Sequence, residues 1–116
     1  MTFTELKTPD ELTEFVNNNK VCVVTFSATW CGPCKKSKPE LEAYAGESPV
    51  PIGYVYESDL EDDFFNSFQS VFLKSSITGF PTYVCFKVCF KEAAEIERIN
   101  GSNFEELEKM IANHAS

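Results

Sequence analysis

Residues 29–35 read Thr-Trp-Cys-Gly-Pro-Cys-Lys, and their flanks decide the fold. Just upstream, residues 20–27 (KVCVVTFS) are β-branched and almost continuously apolar, the pattern of a strand buried on both faces of a sheet. Just downstream, residues 35–46 (KKSKPELEAYAG) read as a helix with Gly46 as its C-cap. Pro39 falls inside that helix and is expected to kink it, because it lacks an N–H and its ring crowds the preceding turn. Two cysteines therefore stand where a buried strand turns into a helix.

The same reading extends outward in both directions. A short strand is expected near residues 3–6. Thr8 caps a helix with Pro9 in its first turn and Glu11 completing a capping box, and Leu12, Phe15 and Val16 mark its apolar face. Residues 51–57 (PIGYVYE) read as a second strand. Asp59 is read as the cap of a helix carrying Phe64, Phe65, Phe68, Val71 and Phe72 at helical spacing. SITGFPT ends it. YVCFKVCF and AAEIERIN follow as strands joined by a tight connection near Lys91. Ser102 and Glu105 form a capping box that opens a last helix with Phe104, Leu107 and Ile111 on one side. The order βαβαβαββα specifies an α/β fold with helices covering a central sheet. No linker or repeat interrupts it, so residues 1–116 read as one domain.

Composition narrows the function. Of the 116 residues, 43% are hydrophobic and 14% aromatic, which argues against disorder. No apolar run is long enough to cross a bilayer, and the acidic, polar start does not read as a secretory signal, so the expected location is cytoplasmic. A formal net charge of −8 disfavours nucleic acid and anionic membrane surfaces, both of which are bound through Lys and Arg. Five cysteines (Cys22, Cys31, Cys34, Cys85 and Cys89) make an odd count, unsuited to a secreted disulfide framework. In a reducing compartment a close pair points to catalysis or metal binding.

A helix N-terminus offers unpaired N–H groups and a partial positive charge, both of which stabilise a thiolate, the reactive form of cysteine. An ordinary cysteine, with a pKa of about 8.5, is only a few per cent thiolate at pH 7; lowering it by about one to two raises that to roughly a quarter or more. Cys31 is expected at an exposed first-turn position as the nucleophile. Cys34 lies one turn later, within reach of a disulfide, and Gly32 and Pro33 keep the turn tight. From the residues alone three readings stay open: a redox dithiol, a zinc site completed by Cys85 and Cys89, and a buried pair with no function.

With its neighbours, the stretch FSATWCGPCK resembles the thioredoxin family, especially its eukaryotic cytosolic kind, and the resemblance covers nearly the whole chain. Pro39 falls where that family kinks its helix, Phe80-Pro81-Thr82 matches its cis-proline loop, and Gly101 matches the glycine that lets a substrate approach. The resemblance implies a thioredoxin fold, with a central mixed β-sheet flanked by helices on both faces. It implies a protein-disulfide reductase in which Cys31 attacks a substrate disulfide and Cys34 resolves the mixed disulfide. Trp30, Gly32, Pro33, Phe80, Pro81 and Gly101 would bind the substrate, with the Phe80 backbone pairing to an extended segment as an added strand. A flavin- and NADPH-dependent thioredoxin reductase would restore the dithiol. No cofactor or metal would bind the chain itself, which is expected to act as a monomer. A second class of function also fits: a redox-sensing adapter subunit of the same fold within a larger assembly.

The sequence departs from the family at Thr25, where a buried aspartate usually stands six residues before the first cysteine. Threonine cannot titrate in the relevant range, so slower resolution by Cys34 and a flatter pH response are expected. The region 60–78 is longer than usual and reads as a lengthened helix. The hairpin over residues 88–94 is also longer, with Phe90 expected to pack in the core. The acids Glu57, Asp59, Glu61, Asp62 and Asp63 are read as favourable helix-start charges. His114 is read as a solvated tail residue, Cys22 and Cys85 as core, and Cys89 as exposed and open to modification. Lys35 and Lys36 are read as solvated helix charges that could support the thiolate.

Overall fold

The structure, a computed structural model, describes residues 2–115. Its centre is β2 (Val21–Ser27), in which every residue is buried. β3 (Ile52–Tyr56) lies parallel to β2 on one side and β4 (Thr82–Cys89) antiparallel on the other. β1 (Phe3–Glu5) closes one edge parallel to β3, and β5 (Glu92–Asn100) closes the other antiparallel to β4, giving the order β1-β3-β2-β4-β5. This is the mixed sheet expected from the sequence.

Both faces are covered, which explains the continuous apolar run of β2. Cys22, Val24 and Phe26 point to one face, where they meet Leu12 and Val16 of α1 (Pro9–Asn18) and Phe68 of α3 (Asp62–Phe72). Val21 and Val23 point to the other, packed with Leu41 and Ala45 of α2 (Gly32–Ala45) and with Leu107, Met110 and Ile111 of α4 (Phe104–His114). Burying a side chain of this size contributes roughly 1.5–3 kcal/mol, so the two cores anchor the strand that carries the cysteines. Pro39 lies within α2, and Gly46 is its C-cap.

Local details differ from the sequence reading in four places. Thr8 caps α1 as expected, accepting the Glu11 N–H at 3.1 Å, but α4 is capped by Asn103, which accepts the Glu106 N–H at 3.1 Å, and not by Ser102. Asp59 does not cap α3: residues 57–59 form a separate 3₁₀ turn closed by Leu60 N–H on the Glu57 carbonyl, and the helix starts at Asp62. α3 has only 11 residues, and the rest of the 60–78 region runs largely as irregular chain. Phe90 is not in the core. It is fully exposed at the tip of the β4–β5 hairpin with φ +63°, a left-handed conformation that turns its side chain off the sheet.

Candidate active site

β2 delivers the chain to the sheet end, and the Cys31 N–H then donates to the Ala28 carbonyl at 3.1 Å, closing a turn. Cys31 is the N-cap of α2: its Sγ accepts the Cys34 N–H at 3.2 Å, and its carbonyl accepts from Lys35 at 3.2 Å. Cys31 and Cys34 are joined by a disulfide with their Cα atoms 5.3 Å apart. The expected exposed, first-turn position of Cys31 needs correcting. As a cap its side chain folds back over the first turn beneath Phe80 and beside Ala28, leaving the residue 4% exposed. In the reduced protein the same N–H and the helix dipole favour a thiolate at this sulfur.

The flanking candidates stand as follows. Trp30 is 71% exposed and sets its ring edge-on to Phe80, centroids 5.7 Å apart. Gly32 and Pro33 are exposed on the first turn of α2, and a Cβ on Gly32 would meet nothing within 4 Å. The Phe80–Pro81 bond is cis, and the Phe80 carbonyl oxygen lies 3.5 Å from Cys31 Sγ. Gly101, at φ +96°, donates its N–H to the Pro81 carbonyl at 2.9 Å and faces open space. Only glycine adopts that φ without steric cost. Sequence reasoning did not single out Ser37 and Glu40, which with Pro33, Lys36 and Ser102 line an open depression along α2. The signal was present in the helical spacing of residues 33, 36, 37 and 40.

Beneath α2, Thr25 pairs in register with Tyr54 on one side and Tyr83 on the other. Its hydroxyl is buried without a hydrogen bond, and so is that of Tyr83. Burial raises the Tyr83 phenol, while nearby Ser37 lowers it in part. Ser37 Oγ itself donates to the Pro33 and Cys34 carbonyls at 2.9 and 3.3 Å. Next along the helix, Lys38 bonds Glu5 at 2.7 Å and Tyr56 Oη at 3.1 Å. Burial pulls the Lys38 ammonium down, but those two bonds outweigh it and leave the pKa above its ordinary value.

The remaining cysteines do not converge on the pair. Cys22 and Cys85 are buried, and desolvation raises both thiols, Cys85 to about 12. Cys89 is exposed at the far end of β4. Among the described residues no group of three or more His, Cys, Asp or Glu is placed to hold a metal ion. His114 is not a free tail residue, since its Nε2 lies 2.7 Å from Glu97. Lys35 and Lys36 are exposed.

Comparison with known proteins agrees with this geometry. The Thioredoxin family model matches residues 3–113. Thioredoxin-1 of Saccharomyces cerevisiae is 30% identical over 97% of this chain and 98% of its own length. Thioredoxin H2 of Arabidopsis thaliana is 35% identical over 85% of this chain and 66% of its own. The crystal structure of reduced Schistosoma mansoni thioredoxin superposes with a TM-score of 0.78 at 25% identity, over 97% of this chain and 98% of that one.

Proposed function

The chain belongs to the thioredoxin family and is a thiol–disulfide oxidoreductase that reduces protein disulfides through Cys31 and Cys34; we propose that Cys31 is the attacking sulfur, and that Trp30, Gly32, Pro33, Phe80, Pro81 and Gly101 receive the substrate. The observation that carries the assignment of roles is the Cys34 N–H pointing at Cys31 Sγ, which stabilises negative charge on that sulfur and not on its partner. Starting from the dithiol, the Cys31 thiolate attacks one sulfur of the substrate disulfide. The substrate S–S bond breaks, its other sulfur leaves as a thiolate, and a Cys31–substrate disulfide forms. Cys34, losing its proton, then attacks Cys31 Sγ and expels the second substrate sulfur. Two electrons pass to the substrate, and the chain ends as the Cys31–Cys34 disulfide.

Exposed Trp30 and the open space at Gly32 and Gly101 support an extended polypeptide lying across this surface, pairing with the Phe80 backbone as an added strand. The dithiol is regenerated by an NADPH-dependent thioredoxin reductase, which makes the protein an electron carrier between that enzyme and its substrates. No helix among the described residues is long and apolar enough to cross a membrane. An exposed free thiol at Cys89 suits a reducing compartment, and we place the protein in the cytoplasm, acting as a monomer and a single unit over residues 1–116.

The test is insulin-disulfide reduction with dithiothreitol as electron donor, alongside covalent trapping. Cys31→Ser is expected to abolish the acceleration. Cys34→Ser is expected to lose turnover while holding substrates as mixed disulfides. Trapping by Cys31→Ser in place of Cys34→Ser would reverse the assigned roles.

A further inference from the structure

Glu95 and Arg98 are three residues apart on β5, a spacing that sends side chains to opposite faces of a regular strand. Here they share a face. Phe86 pairs with Glu95 whereas the preceding Cys85 pairs with Glu97, so Ile96 is an extra residue in the ladder. Such a bulge reverses the alternation beyond it. Both side chains thus turn toward the irregular segment 73–81, which leads from α3 into β4.

There the two groups form a fork: Arg98 Nε to Glu95 Oε2 at 2.6 Å and Nη2 to Oε1 at 2.7 Å. Glu95 is buried, yet the bonds from Arg98 and from the Lys74 N–H outweigh desolvation and hold its carboxyl below the ordinary range. The same fork grips three successive backbone groups. Glu95 Oε1 accepts the Lys74 N–H at 2.9 Å, Arg98 Nη2 donates to the Ser75 carbonyl at 2.7 Å, and Nη1 donates to the Ser76 carbonyl at 3.1 Å. Three residues beyond Arg98, the Gly101 N–H holds the Pro81 carbonyl. The β5 region therefore fastens the segment on both sides of Phe80, whose carbonyl faces Cys31 Sγ. A buried ion pair adds little net stability over an apolar pair of the same shape; what this one supplies is a fixed backbone path.

We propose that Glu95 and Arg98 are positioning residues for polypeptide substrates: by fixing residues 74–76 they set the Phe80 backbone at the height over Cys31 that an added substrate strand requires. This rests on the reading of Phe80 as the docking backbone. The test compares wild type with Arg98→Lys, which keeps the charge but loses the fork, and with Glu95→Gln, whose amide oxygen still accepts from Lys74. Each is assayed on a disulfide-containing peptide and on 5,5′-dithiobis(2-nitrobenzoate), which has no backbone to pair. KM for the peptide should rise about tenfold in Arg98→Lys, equivalent to about 1.4 kcal/mol of lost positioning. Its kcat and the rate with the small disulfide should stay within about twofold. An equal loss on both substrates, or an unchanged peptide KM, overturns the proposal. A peptide N-methylated beside its cysteine separates the two readings on wild-type protein. If N-methylation leaves KM unchanged, docking on Phe80 is wrong. If it raises KM while Arg98→Lys does not, only the positioning role is wrong.

Discussion

Replacing Thr25 by Asp should speed attack by Cys34 and make stability fall with rising pH. Thr25 is 1% exposed, its hydroxyl has no hydrogen bond, and it stands between Tyr54 and Tyr83. Tyr83 lies near Ser37, one helical turn beyond Cys34. An Asp of similar volume would lose its solvation there. An ordinary Asp near 3.9, raised by about 3 on burial, titrates near 7, where a general base is most useful. General bases contribute about 10²–10⁴-fold when they touch the proton, and an acid that acts on Cys34 without touching its proton should give about tenfold. The stability cost follows from linkage. With the folded pKa above the unfolded one, the variant should match the parent below about pH 4, lose stability between about pH 4 and 7, and then level off about 4 kcal/mol lower. With Cys89, the exposed third thiol, replaced by Ser in parent and variant, mixing reduced protein with 5,5′-dithiobis(2-nitrobenzoate) in a stopped-flow instrument gives two successive thiolate releases, the second reporting Cys34. If thermal melts show the pH-dependent loss while the second release keeps the parent's rate and pH profile, an acid at this position does not assist Cys34.

Gly53→Ala would place a Cβ 2.8 Å from Leu6 Cδ1 and 2.9 Å from Phe15 Cε2, and overpacking of this kind should cost about 1–3 kcal/mol, read as a lowered Tm. Phe90→Asn should be neutral or stabilising by up to about 1 kcal/mol in denaturant titration, because Phe90 is fully exposed at φ +63° and Asn tolerates that region better. Iodoacetamide treatment of native protein followed by peptide mapping should label Cys89 and leave Cys22 and Cys85 unmodified until the chain unfolds; labelling of Cys85 at native pH would contradict its burial.

The elements with strong periodicity were readable in the sequence. The continuous apolar run of β2 announced a strand with two covered faces, and the WCGPC stretch placed two sulfurs at a helix start. The misread details are ones where two local solutions compete. Ser102-x-x-Glu105 and Asn103-x-x-Glu106 both match a cap pattern one residue apart, and the chain uses the second. Phe90 shows that large apolar residues are not obliged to be inside, because a two-residue hairpin needs its tip wherever the ladder ends. The fork of Glu95 and Arg98 was invisible, since period-two reading puts them on opposite faces and only the inserted Ile96 brings them together. Nor does spacing show that Cys31 tucks under Phe80, a contact made across 49 residues of sequence.

The two halves of the site hang on different kinds of support. The sulfurs follow β2, whose residues pair with strands on both sides and are buried throughout. Phe80 sits on a segment held largely by side chains of Gln69, Glu95 and Arg98. In hydrogen exchange, the β2 amides should lose their protons only when the whole molecule opens, while those of 74–77 can exchange through a local excursion. The reacting atoms are thus carried by the last part of the molecule to open, and the polypeptide-facing edge by a part that can breathe independently of it.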